Sequence, residues 1–144
     1  MTARQATKLY SPALLRLATG LAAFPFDPAL PLVAEARSRS CGSLISIGLA
    51  TDDDGLILRI GMTVSACAIG QASAAVLANG CIGIAPERIL RTTQGLEQWL
   101  AGERVLPDWP DLAALAPARD HPGRHGALLL PWKAASQALS QTAT

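Results

Sequence analysis

The stretch that decides the fold runs Leu44-Ile45-Ser46-Ile47-Gly48-Leu49, through Asp52-Asp53-Asp54-Gly55, to Leu56-Ile57-Leu58-Arg59-Ile60-Gly61-Met62-Thr63-Val64. Ile45, Ile47 and Leu49 recur two residues apart, the period of a strand with one face buried. On the far side, Leu56, Leu58, Ile60, Met62 and Val64 repeat the same alternation. Between them Asp54-Gly55 supplies the positive φ angles of a tight hairpin turn. That turn also accounts for the acidic run Asp52 to Asp54, which would otherwise suggest a cation site. A short strand over Val33 to Arg37 is placed to flank the pair.

Outward from the hairpin the patterning turns helical. Ala66 to Ala78 is dense in alanine, with Gly70 as its one breaker. Ser11 to Ala23 reads as a helix with Ser11 as N-cap, Pro12 at the first helical position, and Leu14, Leu17 and Leu21 on one face. Pro25 to Pro31 holds three prolines and is expected to be an extended connection. Short helices are predicted over Glu87 to Arg91, Thr93 to Ala101, Asp111 to Ala116 and Trp132 to Leu139. The expected fold class is α+β: a small three-stranded antiparallel sheet with helices packed on one face, spanning residues 1–144 as one domain.

Half of the residues are hydrophobic and 16% are charged, a composition that excludes a disordered, solvating chain. No apolar stretch approaches the ~20 residues of a membrane span, and Tyr10, Ser11 and Pro12 interrupt any signal-type region, so a cytoplasmic location is expected. The net charge of +1 and an aromatic content of 4% give no footprint for nucleic acid. There is no Gly-rich phosphate loop and no Ser–His–Asp arrangement, and turnover of a small-molecule substrate is not expected.

The chemistry-bearing residues are three cysteines and two histidines. An odd cysteine count without a secretory signal argues against a disulfide framework. Cys41 lies in Ser40-Cys41-Gly42-Ser43, where the glycine lets backbone approach a ligand closely. Cys67 lies where the return strand hands over to the alanine-rich helix, facing unpaired N–H groups that suit a thiolate. The hairpin is expected to bring these two thiols together, although each is also compatible with simple core packing. Cys81 falls at the other end of the helix, roughly 20 Å away at ~1.5 Å per residue, and is expected to be structural. A site with two thiolates needs further donors, and His125 is better placed than His121 to supply one.

At these residues the chain resembles the IscU/NifU/SufU family of iron–sulfur cluster scaffolds, whose fold is SufE/NifU-like. The family's first cysteine motif, C-G-D, is similar to Cys41-Gly42-Ser43. Its second is similar to the run Ala66-Cys67-Ala68-Ile69-Gly70-Gln71-Ala72-Ser73. Leu9-Tyr10-Ser11-Pro12 resembles the opening helix, and Leu130-Pro131-Trp132-Lys133-Ala134 the closing helix of the SufU branch. The resemblance implies a scaffold that holds iron and sulfide, or a transient iron–sulfur cluster, on Cys41 and Cys67; His125, two residues before the position of the third family cysteine, is a further candidate metal ligand by its proximity alone. It also implies a cysteine desulfurase and apo iron–sulfur proteins as partners. Two departures stand out: Ser43 occupies the position of the family aspartate, and Ala127 that of the third cysteine. Two alternatives therefore stay open: a SufE-like acceptor of persulfide sulfur using Cys41, and a degenerate paralogue, or zinc-binding regulatory partner, that engages other proteins without sulfur chemistry.

Overall fold

The computed structural model describes residues 9–39 and 42–142. Strands β1 (Leu32–Arg37), β2 (Leu44–Thr51) and β3 (Ile57–Ser65) form an antiparallel sheet in the order β1-β2-β3. Around it stand α1 (Pro12–Gly20), α2 (Ala68–Cys81), α3 (Pro86–Leu100) and α4 (His125–Leu139). The fold is α+β, as the hairpin pattern implied. Among the described residues no helix is long and apolar enough to cross a membrane.

The decisive hairpin differs from its expected form in one detail. Ile45, Ile47 and Leu49 are fully buried, but on the return strand Ile57 is buried while Leu58 is 54% exposed. The register explains this: Ala50 pairs with Arg59 and Thr51 with Ile57, leaving Leu58 as an extra residue. Such a bulge reverses the in–out parity of everything on its far side. The turn itself is an Asx-type turn. Asp52 Oδ1 accepts from the backbone N–H of Asp54 (2.9 Å) and Leu56 (3.0 Å), and Gly55 alone takes a positive φ, +82°. The aspartates thus serve the turn, as their position before Gly55 suggested.

The sheet's outer face is partly roofed. Cross-strand partners Gly48 and Gly61 leave a flat strip, and the Phe24–Leu30 segment lies on it, with Met62 N–H donating to the Phe24 carbonyl at 2.9 Å. A methyl on Gly61 would collide with the Pro25 carbonyl oxygen, and one on Gly48 would lie 2.9 Å from Leu30 Cδ1. The proline-rich connection is therefore a packed layer, held because both positions lack a side chain.

Helix boundaries shift for identifiable reasons. Ser11 caps α1 as expected, its Oγ accepting from Leu14 N–H at 3.2 Å. In place of two short helices, α3 runs unbroken through Thr92 and Thr93, whose hydroxyls donate to the Arg88 and Ile89 carbonyls (2.7 and 2.8 Å). The predicted Asp111–Ala116 helix is a 3₁₀ segment over Leu112–Asp120 that contains Pro117. The last helix begins at His125, seven residues before its predicted start, with Pro131 inside it. The hydrogen bond lost to proline is offset by burial of Leu128, Trp132, Ala134, Ala135 and Ala138 at 0% exposure.

Ten residues of α2 are buried, on all its sides, which marks it as the central helix of the core. It is tied to α4 by polar contacts as well as packing. Ser73 Oγ donates to the Leu128 carbonyl at 2.6 Å and accepts from Trp132 Nε1 at 3.0 Å. Trp132 meets Trp109 edge to face at 5.0 Å and 84°, and Trp109 Nε1 donates to the Val76 carbonyl at 3.0 Å. These bonds set the register between the N-terminal ends of α2 and α4, where the candidate site lies.

Candidate sulfur and metal site

Cys67 occupies the N-cap of α2 with extended backbone (φ −67°, ψ 174°), and its side chain makes no capping hydrogen bond. It is half-buried and opens onto a recess of about 270 Å³ lined also by Gly42, Ser43, Ser65, Ala66 and Arg124. The strand register brings these segments together, since Leu44 at the start of β2 pairs with Ser65 at the end of β3. The connection before β2 is closed by Ser38 N–H to the Ser43 carbonyl and Gly42 N–H to the Ser38 carbonyl, both 2.9 Å. Gly42 stands at φ +71°, a conformation open to glycine with little strain. Cys41 lies outside the described residues; its neighbour Gly42 is part of the recess.

The two departures from the family pattern fall at this same place. Ser43 is 4% exposed and lines the recess. Ala127 is fully buried in the first turn of α4. A methyl added at Gly70 would sit 2.7 Å from Ala66 Cβ and 3.4 Å from Ala127 Cβ. Ala66, Gly70 and Ala127 are therefore neighbours, and the position matched to the third cysteine adjoins the Cys67 turn.

His125 is half-buried at the start of α4, with Nε2 2.8 Å from the Arg119 carbonyl oxygen. A carbonyl can only accept, so Nε2 is the donor in this contact, and Nδ1 is the ring nitrogen not engaged by it. The preceding residue, Arg124, is the one that lines the recess. Arg124 was not singled out from the sequence; its place three residues before Ala127 was the only pointer. His121 contributes its carbonyl to Arg124 N–H at 2.8 Å. Among the described residues no group of three or more His, Cys, Asp or Glu converges to hold a metal ion. A closed four-ligand zinc centre has no support among the described residues of the recess, which offer one thiol, the hydroxyls of Ser43 and Ser65, and a guanidinium.

Cys81 is separate from the recess. It ends α2 at 0% exposure, with Sγ 3.6 Å from the Ala78 carbonyl, and burial pushes its thiol from 9.0 up to about 12. The raised folded value means the native state holds its proton more tightly than the unfolded chain. Its stabilising contribution is complete below pH 9.0 and is lost as pH rises toward about 12. Each pH unit in that window should cost up to about 1.4 kcal/mol. Urea unfolding at pH 8, 9.5 and 10.5 should show this decline, and Cys81→Ala should flatten it. An equally steep decline in the variant would assign the loss to other groups.

No known family profile matches the chain, and no curated protein matches it. Solved structures do. The chain is similar to a nitrogen-fixing NifU-like protein (N-terminal) from Brucella abortus, at 26% identity and a TM-score of 0.87 over 95% of this chain and 96% of that one. It also shares its fold with a protein from Fervidobacterium islandicum described as an iron–sulfur cluster assembly scaffold for the SUF system. There the identity is 22% and the TM-score 0.83, over 93% of this chain and 98% of that one. Shared architecture over nearly the whole of both chains gives this protein the α+β fold of a NifU-like N-terminal domain, the fold also of an iron–sulfur cluster assembly scaffold.

Proposed function

We propose that residues 1–144 act as one scaffold-like domain in iron–sulfur protein maturation, holding iron and sulfide, or a transient cluster, as cargo on the thiolates of Cys41 and Cys67. The observation that carries this reading is the recess shared by Cys67 and Gly42, within a fold that matches a NifU-like protein end to end. Two soft thiolates suit iron–sulfide. With Ser43 and Ala127 in place of a carboxylate and a thiolate, the cargo is held loosely, as a donor requires. His125 would complete the set through Nδ1. The partners are a cysteine desulfurase and recipient apo-proteins in the cytoplasm, and the domain carries its cargo without turning over a small molecule.

A second reading is favoured by Arg124. A guanidinium in the recess suits an anion better than a metal cation, and a persulfide is such an anion. Here Cys41 thiolate attacks the outer sulfur of the desulfurase's cysteine persulfide. A new S–S bond forms on Cys41, the old S–S bond breaks, and the desulfurase cysteine leaves as thiolate with the electron pair.

The deciding experiment is anaerobic incubation with ferrous iron, free cysteine and a catalytic amount of desulfurase. Protein-bound thiolate-to-iron charge-transfer absorption, absent in Cys41→Ala and in Cys67→Ala, supports the scaffold. If no absorption develops but Cys41 gains the mass of one sulfur atom, and Arg124→Ala slows that gain, the acceptor reading replaces it. Neither signal from folded protein would leave a partner-binding paralogue.

A further inference from the structure

A second concave feature has no part in the thiol chemistry. It is a groove of about 550 Å³ between α3 and the connection that follows it, lined by Arg88, Arg91, Arg104, Val105, Leu106 and Asp108 among others. None of these residues lines the recess beside Cys67. The whole chain carries a net charge of only +1, yet this lining sets three guanidiniums against the single carboxylate of Asp108.

The groove is built rather than incidental. A methyl on Gly95 would lie 3.0 Å from Pro107 Cγ, so the missing side chain lets the connection sit close on α3 and form a floor. Arg88 lies over the Trp109 ring, 5.5 Å from its centroid, and Nη2 donates to the Asp108 carbonyl at 3.3 Å. Arg104 Nη1 donates to Gln98 Oε1 at 3.0 Å, while Arg91 is exposed on α3. Val105 is 86% exposed, beside Leu106 and Pro107. Guanidiniums held partly in place lose less freedom on binding than free ones.

We propose that this groove docks an acidic, extended segment of a partner protein, with carboxylates on Arg91 and Arg104 and an intervening apolar side chain against Val105 and Leu106. Charge complementarity selects an acidic occupant. The hydrocarbon between the arginines selects a polypeptide over a bare inorganic anion, because apolar contact offers a phosphate nothing. Single exposed ion pairs contribute little, so binding is salt-sensitive and depends on both kinds of contact.

The test uses the full chain and a fluorescein-labelled 12-residue peptide of repeating Glu-Glu-Leu, read by anisotropy at low salt. A Glu-Glu-Ser repeat of equal charge and inorganic pyrophosphate serve as competitors. The double variant Arg91→Glu with Arg104→Glu should weaken binding by at least about tenfold. Val105→Ser should weaken it roughly fivefold, and both should keep the wild-type melting temperature. The Glu-Glu-Ser peptide should compete poorly. Unchanged affinity in the charge-reversed protein would overturn the proposal. So would equal competition by Glu-Glu-Ser or pyrophosphate together with an indifferent Val105→Ser, which would make the groove a plain anion surface.

Discussion

Trp132→Ala should lower the unfolding free energy by about 3–5 kcal/mol, of which about 0.5–1.5 kcal/mol comes from the broken Trp109 pair. Trp132 is fully buried, and its Nε1 supplies the bond to Ser73 Oγ at 3.0 Å. Truncation opens a cavity on the seam between α2 and α4 and leaves the edge-to-face contact with Trp109 without its second ring. Against a typical total of about 5–15 kcal/mol, such a loss brings the domain close to unfolding at growth temperature. Trp132→Phe keeps most of the hydrocarbon and should lose roughly half as much. Urea titrations of the three proteins measure the series. A loss below about 1 kcal/mol in the alanine variant would show that the seam repacks freely. Because Ser73 also bonds the Leu128 carbonyl, the same seam places the turn at Cys67 beside Ala127. Trp132→Phe should therefore impair cargo retention more than its stability change alone explains.

On the proposed scaffold reading, Cys67→Ala should abolish retention of iron and sulfide, and Ala127→Cys should lengthen it. Cys67 is the described thiol of the recess, so its removal leaves Cys41 as the sole thiolate from the family pattern. Conversely, Ala127 adjoins the Ala66–Gly70 turn, and a sulfur there adds a third soft donor. A gain of one ligand worth about 1.4 kcal/mol slows release tenfold. Transfer of cargo to an apo-ferredoxin-type acceptor, followed by the loss of scaffold absorption, reads both effects. Faster release from Ala127→Cys, with the fold intact, would place the cargo away from the α4 N-terminus. Since Ala127 is fully buried, Ala127→Ser serves as the size control: it should not lengthen retention, and its buried hydroxyl should make it less stable than Ala127→Cys.

Much of this was legible in the chain itself. Ile45, Ile47 and Leu49 alternate, and a strand with that pattern has one way to bury its apolar side, so β2 and its antiparallel partner were determined locally. Ser11 before Pro12 sets the start of α1 for the same reason: the cap satisfies orphan N–H groups wherever the helix packs. The contexts of Cys41 and Cys67 singled out two thiols, of which Cys67 lines the recess, and the resemblance that they carry led to the fold that the solved structures share.

Tertiary structure decided the rest. The bulge at Leu58 turns on pairing between Thr51 and Ile57, a contact between strands that no period within one strand contains. Pro131 reads locally as a helix start, yet α4 runs through it because burial of its neighbours outweighs one lost hydrogen bond. Arg124 became part of the site only when the start of α4 met the end of β3. The recess that it charges is formed by three segments distant in sequence and brought together by packing. Local chemistry determines which elements form, while long-range contacts determine which side chains share a space, and it is in that shared space that function is carried out.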